Sequence, residues 1–169
     1  MKITDITVDG PRVVATEDEI DVLEADLGIR LPEGYREFMV VLGEGVLGGT
    51  YVRIYPPWRI RRELQGWQNR IREYWFWKGL DKERALAAVV VGDTLDGDEL
   101  IVHPSDPDEI WVLPRHSERA LVAGRGLWEA LEWLCSAGVL TEPFAERKFE
   151  PFDSRVGHGD EVRHEDLDS

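Results

Sequence analysis

The chain has one cysteine, Cys135, and so cannot close an internal disulfide. No apolar run approaches the roughly 20 residues that cross a bilayer, and the longest candidate, 85–92, has the length of a buried strand. No charged-then-apolar leader opens the sequence, which together with the lone cysteine leads to the expectation of a cytoplasmic protein. Basic residues are few: 20 Lys and Arg stand against 34 Asp and Glu, a formal charge of -14. Nucleic acid and anionic membrane repel such a polyanion, whereas a basic protein partner is attracted to it. There are no internal repeats.

The signatures of reaction chemistry are also missing. The glycine-rich stretch GEGVLGG at 43–49 lacks the Lys-Ser/Thr of a P-loop and the spacing of a dinucleotide fingerprint. Aligning Gly97 with the invariant glycine of a calcium loop puts Gly92 at the first ligand position and His103 where the bidentate Glu belongs, so no metal site is expected. No cofactor motif is present. No nucleophile elbow is present, and Ser117 beside His116 in sequence gives no geometric support for a triad. Cys135 falls on the apolar stripe of a helix, the place of a small buried hydrophobe rather than a nucleophile. The expectation is a protein that is not an enzyme.

At 169 residues the chain can bury roughly 70% of its unfolded surface in one core. Residues 1–15 are β-prone around Gly10-Pro11 and read as an N-terminal arm or edge strand. Thr16 and Glu19 form a capping box, after which Ile20, Leu23 and Leu27 share one helical face until Gly28. Pro32 suits a helix start, and Tyr35, Phe38, Met39 and Leu42 stripe a second helix packed on the first as a hairpin. GEGVLGG, with four glycines in seven positions, is expected to be loop. A strand follows over 50–55, stopped by Pro56-Pro57.

The next segment, 58–78, reads WRIRRELQGWQNRIREYWFWK. Ile60, Leu64, Trp67, Ile71 and Trp75 fall on one helical face, predicting a helix across the segment. It holds four of the seven tryptophans and six basic against two acidic residues, so it is locally positive in an acidic chain. Residues 87–91 predict a central strand, 92–98 an acidic turn, 99–103 a strand, SDPDE at 105–109 another turn, and 110–113 a third strand of an antiparallel meander. A short strand at 121–123 is weaker, and Leu127, Leu131, Leu134 and Cys135 stripe a last helix closed by Gly138. Phe144, Phe149 and Phe152 suit an extended strap over 141–155. The acidic residues 156–169 have the composition of a disordered tail.

This order of features resembles the SUKH superfamily, the fold of yeast cell-wall assembly regulators and of many bacterial immunity proteins. The residues that carry the likeness are TEDEIDVLEADLGIRLP, PEGYREFMVVLGEG, AVVVGDTLDGDELIVH, IWVLPRH and GLWEALEWLCSAG. Members often have Asn-Gly-Gly where this chain has Gly43-Glu44-Gly45. The resemblance implies a single α+β domain over 16–140 with a mainly antiparallel sheet. It further implies a non-enzymatic immunity protein that binds and occludes a cognate toxin domain, often a nuclease. A scaffold or regulatory module unrelated to toxins is the other reading, with the Trp-rich helix as its contact surface.

Two stretches are candidates for partner contact. Asp93, Asp96, Asp98 and Glu99 form either a solvated turn or a patch facing a basic partner. In the Trp-rich segment, Trp67 and Trp75 belong to the core stripe, whereas Trp58 and Trp77 fall off it. With Arg59 and Arg62 those two are expected anchors for a partner or a homodimer, since exposed Trp and Arg dominate interface energetics.

Overall fold

A computed structural model describes residues 1–49 and 51–156. After a short 3-10 turn at Ile3–Asp5, the elements are β1 (Thr7–Val8), α1 (Glu17–Leu27), α2 (Tyr35–Val41), β2 (Gly45–Leu47) and β3 (Val52–Ile54). They continue with α3 (Pro57–Glu73), α4 (Lys82–Leu86), β4 (Val89–Thr94), β5 (Glu99–His103), β6 (Asp106–Leu113), β7 (Leu121–Arg125), α5 (Leu127–Ser136) and β8 (Lys148–Pro151). The strands form one sheet in the order β1-β8-β2-β3-β4-β5-β6-β7. All pairings are antiparallel except β1 with β8. The fold is α+β, a single domain.

The helical hairpin forms for the reasons its sequence contains. Glu19 N donates to Thr16 Oγ1 at 3.1 Å and Thr16 N to Glu19 Oε1 at 3.1 Å, so two amides that the first turn would orphan are satisfied. Gly28 ends α1 at φ +64°, a left-handed conformation costly for other residues. Ile20 and Leu23 of α1 and Tyr35, Phe38 and Met39 of α2 are buried, and Arg36 ties the two helices through Asp21 and Glu24. Pro32 lies ahead of α2 rather than in it, accepting from the amide of Tyr35 through its carbonyl.

The core of the sheet is β4 to β6. Val89, Val90 and Val91 are buried in succession, the pattern of a strand covered on both faces. Helix α3 packs on β4, and α5 packs on β6 and β7 through Leu127, Ala130, Leu131 and Leu134.

Five local expectations are corrected. The glycine stretch contains β2, a strand inside the sheet. A Cβ on Gly45 would sit 2.5 Å from the Phe149 ring, so glycine there permits close strand packing, while Gly48 and Gly49, at φ +78° and +80°, make the turn. The strand expected over 50–55 is β3, and residue 50 lies outside the described residues. The Trp-rich helix stops at Glu73: Tyr74 is extended at φ -141°, ψ 108°, and Lys78 instead makes a parallel bridge with Arg119. Gly92 and Asp93 belong to β4, so the acidic turn between β4 and β5 is only residues 95–98. The SDPDE segment begins β6, with the turn at Pro104-Ser105; Pro107 precedes the β6–β7 ladder, which starts at Glu109, so its missing N–H costs that ladder nothing.

The strap expected over 141–155 includes β8, which enters the sheet between β1 and β2 rather than crossing over it. Its Phe149 is fully buried and meets Phe38 edge-on. The tail reading falls almost wholly on 157–169, outside the described residues.

Candidate functional site

Helix α3 spans 17 residues, about 25 Å at 1.5 Å per residue. Ile60, Trp67 and Ile71 are buried, which leaves Arg61, Arg62, Arg70 and Arg72 facing outward while Arg59 is largely covered. A cavity of about 310 Å³ runs beside it, and Arg59, Arg62, Asp93 and Glu99, four of the residues singled out in the sequence, line it together with Tyr55 and Trp67.

The carboxylates of this groove are held by neighbours. Arg53 donates to both oxygens of Asp93 at 2.7 and 2.6 Å, and the Tyr55 hydroxyl adds a third bond at 2.8 Å. Burial, reinforced by Asp93 beside it, holds the Tyr55 hydroxyl well above its ordinary value, so it acts as a donor. Arg70 pairs with Glu99. Burial pushes the Glu99 carboxyl upward, against the pull of Arg70 and of the Trp67 indole N–H. The Arg59 guanidinium lies 4.4 Å from the Tyr55 ring centroid.

At the start of α3, Trp58 is half-buried. Its Nε1 donates to Glu44 Oε1 at 3.4 Å, and the Arg155 guanidinium covers its ring at 3.8 Å. Arg62 donates to Ser154 O at 3.3 Å. The C-terminal segment thus covers one of the two expected tryptophan anchors.

Trp77 lies past the other end of α3. It donates from Nε1 to Pro114 O at 2.7 Å and stacks on Phe76 with centroids 4.3 Å apart. Trp75 meets it edge-on at 5.1 Å. Tyr74 is 68% exposed and Phe76 38%, so this run offers aromatic surface to solvent. Sequence reading missed Tyr74 and Phe76 because helical spacing was carried past the helix end. The alternation Tyr-Trp-Phe-Trp, which suits an extended chain with two faces, is the signal that was there.

The acidic turn is not a uniform charged patch. Asp98 is turned inward, 3% exposed, where Oδ2 accepts from Thr94 Oγ1 at 2.7 Å and Oδ1 from the amide of Arg115 at 3.0 Å. Asp96 is exposed. Pro114 and Arg115, adjacent in the chain, connect Trp77 with this turn, so two stretches proposed separately from the sequence meet at one end of the molecule.

Reaction chemistry finds no assembled site among the described residues. His103 Nδ1 sits 2.8 Å from Ser105 Oγ in a surface turn, and no hydrogen bond joins His116 to Ser117. Among the described residues no group of three or more His, Cys, Asp or Glu is placed to hold a metal. Cys135 is buried, and burial pushes its thiol up to about 11. Among the described residues no helix is long and apolar enough to cross a membrane.

The architecture is that of an α+β domain whose polar, aromatic-rich helix lies against a mainly antiparallel sheet. The family model described as SMI1/KNR4 (SUKH-1) matches residues 14–125, and the chain belongs to that family. No curated protein matches the sequence. Strand β8 lies outside the matched span yet sits inside the sheet.

Proposed function

We propose that the protein is a non-enzymatic immunity protein that binds a cognate toxin domain, basic in charge and of a kind that includes nucleases, and blocks it by occlusion. Family membership supports this reading. The observation that carries it is the exposed pair Tyr74 and Phe76, which stand outward from the half-buried Trp75 and Trp77 that pack on the core. Exposed aromatics are the chemistry of interface hot spots, and Lys78 and Arg84 share the adjoining surface cavity with Trp75 and Trp77. The contact surface runs from this segment past Asp96 and along the outer face of α3 to Arg62. The net charge of -14 would speed encounter with a basic partner, most strongly at low salt.

The test is co-purification with the product of the adjacent reading frame, followed by rescue of its toxicity. Tyr74→Ala with Phe76→Ala is expected to weaken the complex roughly tenfold or more while leaving thermal stability unchanged. A complex of unaltered affinity removes this segment from the interface. Failure both to co-purify and to protect favours the second reading, a protein-interaction scaffold or a homodimer using the same aromatic surface, which sedimentation of the purified chain distinguishes.

A further inference from the structure

The sheet ends in β7, whose principal neighbours are β6 and helix α5. A terminal strand presents a row of unpaired N–H and C=O groups, which proteins ordinarily blunt. At the opposite end the blunting is by length, since β1 has two residues. Strand β7 has five, of which the first four, Leu121–Gly124, are uncharged and include no proline. Its one charge, Arg125, is drawn back to Asp106 of β6 at 3.0 Å, so what guards the edge is a one-residue bulge at Ala123.

A ladder along this edge is begun and not continued. Lys78 N donates to Glu118 O at 2.6 Å and Ala120 N to Lys78 O at 2.9 Å, a parallel bridge opposite Arg119. Gly79, at φ +89°, then turns the chain away. Among the described residues Leu121–Gly124 make no backbone hydrogen bond beyond the β6 ladder. Ala120 N points outward to Lys78, so by alternation Val122 also turns its N–H and C=O outward. Val122 is 42% exposed and lies directly opposite Trp111, which places both side chains on one face. Trp111, Trp75 and Trp77 line a surface cavity of about 500 Å³, so the open edge adjoins aromatic surface. Backbone groups that bind any strand, next to a cavity that selects side chains, are the two parts of strand addition.

We infer that β7 is a docking edge for an extended, apolar segment of another protein, which pairs along Leu121–Gly124 and sets alternate side chains beside Val122 and Trp111. A second copy of this chain suits the edge less well, because two copies of net charge -14 repel each other. The inference concerns the mode of contact and stands whether or not the partner is a toxin.

The full chain, ¹⁵N-labelled, is titrated with a capped peptide of alternating threonine and valine that has a lysine at each end. The same peptide with proline at its two central positions, equal in charge, is the control. The expected result is a saturable shift of the Leu121–Gly124 amides with the first peptide and binding about tenfold weaker or less with the second. Val122→Lys weakens binding several-fold, and Val122→Pro, which deletes the outward N–H, abolishes it. Should Val122→Pro fail to fold, Val122→Lys carries the test alone. Equal shifts with both peptides, or none at β7, overturn the inference. Where the product of the adjacent reading frame co-purifies, exchange of the Val122 amide should slow about tenfold or more in the complex; unchanged exchange there overturns the edge as the contact while leaving the complex standing. A dimer in sedimentation that Val122→Lys dissolves assigns the edge to a second copy and overturns the choice of occupant.

Discussion

Glu44 and Ser154 lie 110 residues apart, and a 2.8 Å hydrogen bond from the Ser154 amide to Glu44 Oε1 joins them. Glu44 is 1% exposed; its carbonyl also accepts from the amide of Phe152, and its carboxylate from Trp58 Nε1. One buried side chain therefore fastens the segment after β8 to the start of α3. Glu44→Ala is expected to cost about 1–3 kcal/mol, because it strands the Ser154 amide and the Trp58 indole. Hydrogen exchange reads the cause: the Ser154 amide should lose protection, and Glu44→Gln, which keeps an acceptor, should retain most of it. Unchanged exchange at Ser154 in the alanine variant would show that the segment is held by other contacts.

Strand β8 predicts a second effect. Phe149 is fully buried against Phe38 and against the bare backbone of Gly45, so Phe149→Ala leaves a cavity between α2 and the sheet. The expected loss is about 3–5 kcal/mol. Gly45→Ala overfills the same contact and should cost about 1–3 kcal/mol alone. The added Cβ also meets the Glu150 carbonyl at 2.6 Å, which Phe149→Ala leaves in place, so the double variant should recover part of the Gly45→Ala loss and be more stable than the sum of the single losses requires. Urea denaturation of the four proteins measures the coupling, and strict additivity would contradict the packing described.

These two sites also mark where the sequence was legible. Thr16, Glu19 and Gly28 act on neighbours within one or two turns, so the cap and the stop of α1 can be read locally, as can the stripe of α5. Gly45 reads as loop because the residue that requires it, Phe149, is distant in sequence. The end of α3 carries no glycine or proline, and what extends Tyr74–Lys78 is pairing of Lys78 with the segment 118–120. Asp98 looks like any turn aspartate until Thr94 and Arg115 are seen to enclose it. For the candidate site, residue types were legible and partners were not: Arg53 with Asp93 and Arg70 with Glu99 are pairings that only the fold creates.

Cys135 supplies a chemical prediction. Its buried thiol, pushed up to about 11 from an ordinary 9, holds about a hundredfold less thiolate at neutral pH, and burial denies reagent access besides. A disulfide reagent should modify the native protein at least about a hundredfold more slowly than the urea-unfolded chain. Rapid stoichiometric labelling of the native state would mean that α5 opens readily.

Asp108 on β6 holds the connection between α1 and α2. Arg30 donates to its two oxygens at 3.2 and 3.0 Å, and the amide of Glu33 to Oδ1 at 2.9 Å. The Arg30 guanidinium, and after it the Glu33 amide, hold the Asp108 carboxyl below its ordinary 3.8. A carboxyl lowered in the folded state binds fewer protons there than in the unfolded chain. Its contribution is therefore full above the ordinary value and is lost as pH falls through the lowered one. Arg30 is 58% exposed, so solvent discounts the pair, and Asp108→Asn should cost only about 1 kcal/mol at neutral pH. The gap between wild type and variant, measured by urea denaturation, should narrow below about pH 4 and also shrink with added salt. A gap that stayed constant across pH and salt would assign the loss to shape rather than charge, leaving the Glu33 amide as the bond that matters.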